Sequence, residues 1–177
     1  LRAEVHVLTL SATPIPRSLM MALYGDMEIS ILNEKPANRK NINTIIRSQN
    51  NAVEIYEGFK RAMARHEKIY WICPAIAENE ESDLASAEEK HKELQNIFGE
   101  SMVALLHGKM KESEKDKIMH EFKNGNSINI LVATTVIEVG VDVPNASVIV
   151  IEHAERFGLS QLHQLRGRVG RGSEKSF

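Results

Sequence analysis

Arg168 and Arg171, with glycines between and beside them, carry the clearest chemistry in the chain. They close the run Gln161-Leu162-His163-Gln164-Leu165-Arg166-Gly167-Arg168-Val169-Gly170-Arg171-Gly172. At 3.6 residues per turn, Gln161, Gln164, Arg168 and Arg171 share one helical face, and Leu162, Leu165 and Val169 lie roughly opposite, where they can bury. Gly167 and Gly170 inside such a helix each cost about 1 kcal/mol relative to alanine. That cost is usually accepted where backbone must come close to something. Two planar guanidiniums one turn apart suit a polyphosphate, because each can bind phosphate oxygens with two hydrogen bonds. The plain alternative is an amphipathic helix whose arginines pair with surface carboxylates.

A second chemistry-bearing stretch runs Ala133-Thr134-Thr135-Val136-Ile137-Glu138-Val139-Gly140-Val141-Asp142-Val143-Pro144. Two hydroxyls at a strand end suit a nucleic-acid phosphate backbone. Gly140 permits a tight turn, and Asp142 can accept from a ribose hydroxyl or an arginine. The alternative is a turn whose threonines and aspartate cap backbone groups. His107 and Lys109, in Leu106-His107-Gly108-Lys109, are candidate phosphate contacts, against a capping histidine and a solvated lysine. Trp71, in Trp71-Ile72-Cys73-Pro74, reads as core rather than a base-stacking platform. Ser11-Ala12-Thr13-Pro14 reads, alone, as a strand-ending turn.

These groups need elements to hold them. Residues 5–10 form a candidate strand, and Pro16 can open a helix over 17–24 that Gly25 ends. Residues 33–41 are polar and irregular, a linker with a domain boundary near 38. Short, β-branched strands follow at 42–47, 69–73, 102–106, 128–132 and 147–151; their continuous apolar character fits parallel strands covered on both faces. Between them lie helices. One is capped by Asn51 with Glu54 and has the stripe Val53, Tyr56, Phe59 and Met63. Another is opened by Ser82, faces Leu84, Ala87, His91, Leu94 and Phe98 inward, and closes at Gly99. A third carries Ile118, Met119 and Phe122 and stops at Asn124-Gly125. Such alternation predicts right-handed βαβ units and an open three-layer α/β sheet, with ligands beyond the carboxyl ends of the strands. The acidic run from Glu78 to Glu93 reads as a solvated helix face.

The 177 residues are 42% hydrophobic, enough to bury a core. The net charge of −2 means that any nucleic-acid site must be local. The one cysteine, Cys73, forms no internal disulfide and suits a reducing compartment. No run of 18 apolar residues suggests a membrane span. The seven histidines show no metal-ligand spacing, so no metal site is expected. The strand-like opening and abrupt close suggest an excerpt of a longer protein.

Gln164-x-x-Gly167-Arg168-x-Gly170-Arg171 resembles motif VI of superfamily 2 helicases, and the Thr134 to Asp142 stretch resembles motif V. Ser11-Ala12-Thr13 resembles motif III, with serine where the family has threonine. The runs Thr13-Pro14-Ile15-Pro16-Arg17, Leu23-Tyr24-Gly25-Asp26 and Glu155 through Arg168 are similar to the RecG-type branched-DNA helicases. Mfd-type transcription-repair translocases share the proline pair and the motif VI neighbourhood and form the alternative within the superfamily. A nonenzymatic RecA-like binding platform is the alternative outside it.

The resemblance implies a RecA-like three-layer sandwich with a mainly parallel sheet and no phosphate loop. It assigns 1–37 to the end of a first lobe and 38–177 to the second, truncated after motif VI. It implies that Arg168 and Arg171 are arginine fingers oriented by Gln164 and Asp142, worth about 10³–10⁵ in rate. Gly140 and Asp142 would touch nucleotide, and Thr134, Thr135, His107 and Lys109 would touch DNA. Ser11 and Thr13 would couple the lobes. No Gly-x-x-x-x-Gly-Lys-Ser/Thr occurs, so ATP and Mg2+ are expected mainly on a first lobe upstream, and the fragment alone is expected to be inactive. The implied partners are forks and Holliday junctions, that first lobe and a DNA-binding wedge domain of the parent, without a membrane. The implied location is the bacterial cytoplasm.

Overall fold

A computed structural model describes residues 8, 10, 30–32, 34, 40–48, 51–74, 80–134, 142–172 and 174–177. The chain divides into two compact units, Leu1–Lys35 and Pro36–Phe177. In the first, Leu8 and Leu10 are exposed and outside regular structure; the rest of the expected strand, and the helix over 17–24, lie outside the described residues.

In the second unit the order is α1 (Ala52–Met63), β1 (Lys68–Ile72), α2 (Glu80–Phe98), β2 (Val103–Leu106), α3 (Glu112–Asn124), β3 (Ile130–Ala133), β4 (Ala146–Ile151) and α4 (Leu159–Arg166). The four strands form one parallel sheet in the order β2-β3-β1-β4. Side chains alternate between its faces with period two. Ile69, Trp71, Cys73, Ile130 and Val132 pack under α1 and α2 with Phe59, Ala62, Ala87 and Leu94. Tyr70, Ile72, Leu131 and Ala133 face α3 and α4 with Phe122, Leu165 and Val169. The three-layer α/β expectation holds. Among the described residues, no helix is long and apolar enough to cross a membrane.

Several local expectations need correction. Residues 42–47 form no strand: only Ile42 pairs, in a bridge to Ser176. Asn51 makes no side-chain cap, because its backbone (φ −98°, ψ 26°) is not in the extended region a capping residue uses. Glu54 pairs instead with Arg47 at 3.4 Å, and Val53 is exposed, whereas Phe59 and Ala62 are buried. The acidic helix is not wholly solvated either. Glu93 accepts from Tyr56 and from Lys90 (2.6 Å), and Lys90 also pairs with Glu152 at 3.4 Å and lies over the Trp71 ring.

Candidate functional site

Helix α4 stops earlier than its periodicity suggests. Its last residue is Arg166, and Gly167 caps it (φ −67°, ψ −7°). The turn then tightens: the N–H groups of Arg168 and Val169 donate three residues back, to Leu165 and Arg166 (2.9 and 3.4 Å). Arg168 and Arg171 therefore stand on a turn beyond the helix, not on its face. Val169 anchors that turn, fully buried among Tyr70, Val143 and Leu165.

The glycines have a structural explanation. Gly170 has φ +73°, the left-handed region, and a Cβ there would lie 2.9 Å from Ile42 Cγ1. At Gly172 a Cβ would lie 2.6 Å from the Pro144 carbonyl oxygen. The close approach expected of these glycines is thus to the protein's own backbone and core.

Arg171 is oriented from two sides. Its Nε donates to the Gly167 carbonyl at 3.0 Å, and its Nη1 to Asp142 Oδ1 at 3.1 Å. A guanidinium has five N–H groups, so three remain for an anion. The Arg171 side chain is 34% exposed, enough for an outside ligand to reach. Arg168 lies in the same turn, and both arginines act electrostatically on Tyr70. Burial pushes the Tyr70 hydroxyl up to about 12, against the pull of both arginines. Tyr70 escaped the motif reading; its one signal was a phenol hydroxyl inside a strand that is buried throughout.

A second group forms at the carboxyl ends of β2 and β3. Leu106 pairs with Ala133, so His107 and Thr134 follow side by side. Thr134 is buried, and its N–H donates to the Leu106 carbonyl at 3.2 Å. Among the described residues, His107 Nδ1 is buried without a hydrogen-bond partner; such a group costs about 1–3 kcal/mol unless something satisfies it. Lys109 is exposed beside it. Gln164 is exposed on α4 and bonds neither arginine among the described residues. Thr135, Gly140, Ser11 and Thr13 lie outside the described residues. Trp71 is 4% exposed, a core residue as expected. Among the described residues no cluster of three His, Cys, Asp or Glu could hold a metal.

The model of the family described as the helicase conserved C-terminal domain matches residues 50–173, which contain both groups. The chain belongs to this family. As a helicase C-terminal domain it is 50% identical over 173 residues to the ATP-dependent DNA helicase RecG of Synechocystis sp., a match covering 97% of this chain and 21% of the relative. It is 46% identical over 175 residues to RecG of Bacillus subtilis, covering 98% and 26%. A solved structure of RecG bound to a three-way DNA junction superposes with a TM-score of 0.73 at 44% identity, over 90% of this chain and 20% of that one. Dbp5 of S. cerevisiae, solved with RNA and ADP BeF3, shares the fold (TM-score 0.65, 19% identity, 94% of this chain and 42% of that one). The helicase domain thus spans about a fifth to a quarter of the RecG proteins it matches.

Proposed function

We propose that this domain is the second RecA-like lobe of a RecG-type ATP-dependent DNA helicase acting on branched DNA such as forks and Holliday junctions. The observation that carries the reading is the turn of Arg168 and Arg171, with Arg171 aimed by Asp142 and its remaining donors open to an anion. The donor set fits a nucleotide's phosphates: it offers guanidiniums, with Asp142 holding one of them. In the parent, Mg-ATP would be held mainly by a first lobe, to which 1–37 would contribute its last elements. Bound there, the nucleotide supplies a γ-phosphoryl group whose transfer develops charge on its oxygens.

Arg168 and Arg171 would place positive charge on those oxygens, the largest contribution available in a reaction with little covalent work for the protein. Asp142 holds the Arg171 fork in one orientation, and Gly140 would leave room beside it. Gln164 would join them once the cleft closes. Thr134 and Thr135, with His107 and Lys109, would hold the DNA backbone. Ser11 and Thr13 would couple the lobes. Closure is favoured because the nucleotide touches both lobes only when the cleft is shut.

The test is ATP turnover by the full-length parent with and without forked DNA, comparing wild type with Arg171→Lys. Lysine keeps the charge and loses the fork. Fork-stimulated turnover should drop by orders of magnitude while folding and DNA affinity hold. Unchanged turnover would assign Arg171 a structural role, and an inactive wild type would favour a nonenzymatic platform. The domain by itself should hydrolyse no ATP.

A further inference from the structure

Gly170 sits between the two arginines, buried, in a backbone conformation that glycine adopts without penalty (φ +73°). The space left by its missing side chain is filled by Ile42. A Cβ built on Gly170 would lie 2.9 Å from Ile42 Cγ1 and 3.3 Å from Ile42 Cδ1, with Ser176 Cβ next at 3.7 Å. The ethyl arm of Ile42 is therefore seated directly on the Gly170 backbone. Ile42 comes there from the opposite end of the domain's sequence. After Lys40 and Asn41, both exposed, it is half-buried and packs on the core that holds Tyr70, Leu165 and Val169.

The rest of the turn is held unevenly. On its amino side, the N–H groups of Arg168 and Val169 bond back into α4, and the Val169 side chain is fully buried. Beyond Val169 that ladder stops. Among the described residues, neither Gly170 nor Arg171 makes a backbone–backbone hydrogen bond. The Arg171 side chain is tied through Nε and Nη1, but its backbone is not. A glycine without such a bond has a wide choice of φ and ψ, and rotation about either swings Arg171 relative to Arg168. Packing must supply what hydrogen bonding does not, and the nearest side chain from outside the turn is Ile42.

We infer, resting on the phosphate-binding role proposed above, that Ile42 is a positioning residue for Arg168 and Arg171. Its ethyl arm, pressed on Gly170, holds the stretch of the turn that has no backbone bond and so fixes the spacing of the two guanidiniums. At a reacting phosphoryl group a misplacement of about 1 Å can cost about a hundredfold in rate. Ile42 touches no ligand in this role; it acts through the Gly170 backbone. A residue that only fills core volume has a different signature: stability falls, and kcat per folded molecule holds. Ile118 of α3 is the matched case, partly buried against the same core and not among the side chains nearest Gly170.

The test is steady-state ATP turnover by the full-length parent on forked DNA, with kcat and KM for ATP separated and the folded fraction measured for each variant. Ile42→Ala removes both contacting carbons. It should lower kcat by about tenfold or more and leave KM within about twofold, because the arginines act in the transition state. Ile42→Val keeps Cγ1 and loses Cδ1, so it should retain most of the turnover and still fall short of wild type. Ile118→Ala should lower the melting temperature and leave kcat near wild type. Added to Gly170→Ala, Ile42→Ala removes the carbon that the new Cβ meets, so the double variant should turn over faster than Gly170→Ala alone. A wild-type kcat in Ile42→Ala, an equal loss in Ile118→Ala, or a double variant slower than Gly170→Ala would each overturn the positioning role. If Ile42→Ala does not fold, a wild-type kcat in Ile42→Val overturns it. Arg171→Lys separates the two readings. Turnover lost there but kept in Ile42→Ala removes only the positioning role, whereas turnover kept in both removes the arginine fingers themselves.

Discussion

The two faces of the sheet treat charge differently. Under α1 and α2, an aromatic cluster of Tyr56, Phe59, Trp71 and Phe98 packs ring against ring at 5.8–6.3 Å between centroids. A chain of polar groups closes over it: Tyr56 donates to Glu93, Lys90 bridges Glu93 and Glu152, and the Cys73 thiol leans on Glu152 at 3.6 Å. Every charge in that chain is answered from within the domain. On the α3 and α4 face the core is equally closed, with Tyr70 on Phe122 and Val169 buried. Arg171 on that side, however, is one-third exposed at the surface. One carboxylate, Asp142, sets the aim of Arg171 without enclosing it. Charge neutralised inside a domain serves the domain, whereas charge aimed but not enclosed is available to a ligand.

The sharpest way to break this contrast is to remove an arginine. In the full-length parent, Arg168→Ala should lower DNA-stimulated ATP turnover by about 10³-fold or more and leave the melting temperature nearly unchanged. A loss of stability with turnover intact would make the two faces equivalent. The opposite face should answer in stability instead. Phe59→Ala should cost about 3–5 kcal/mol in denaturant unfolding, because Phe59 is 1% exposed at the centre of the aromatic cluster.

Smaller effects sharpen the comparison. Gly170→Ala forces a Cβ into Ile42 at a positive φ and should cost about 1–3 kcal/mol, with turnover falling further than stability alone accounts for. The smallest effect concerns Glu67, whose carboxylate accepts from Arg65 (2.6 Å) and Ser147. Burial alone would raise its pKa, but these two donors hold it below the ordinary 4.5. A depressed carboxylate contributes stability above its unfolded pKa and loses it as pH falls through the folded value. Glu67→Gln should therefore cost about 1 kcal/mol at neutral pH and flatten the decline in stability below about pH 4.5. An unaltered acid limb would show that Glu67 adds nothing.

Much of this was legible residue by residue. The strands at 69–73, 102–106, 128–132 and 147–151 were readable because a parallel strand buried on both faces leaves a continuous apolar run. Gly99 and Asn124-Gly125 mark helix stops by local backbone energy alone. The pairing of Asp142 with Arg171, 29 residues apart, was legible only through family resemblance. The misreadings share one cause. Residues 42–47 have strand composition, but a strand exists only where a partner supplies its ladder, and theirs ends at Ile42. The motif VI helix was extended through Arg171 because periodicity does not register a tightened turn, which Val169 burial and the squeeze of Gly170 against Ile42 impose.

The sequence by itself determined the element types, the apolar faces and the identity of the chemistry-bearing residues, since propensity, side-chain period and functional groups are local properties of the chain. Only the tertiary structure decided that Tyr70 shares a core with Val169, that His107 stands beside Thr134, and that Ile42 lies against the glycine between two arginines. Those placements depend on strand order and crossover packing, energies that exist only once segments far apart in the chain have met.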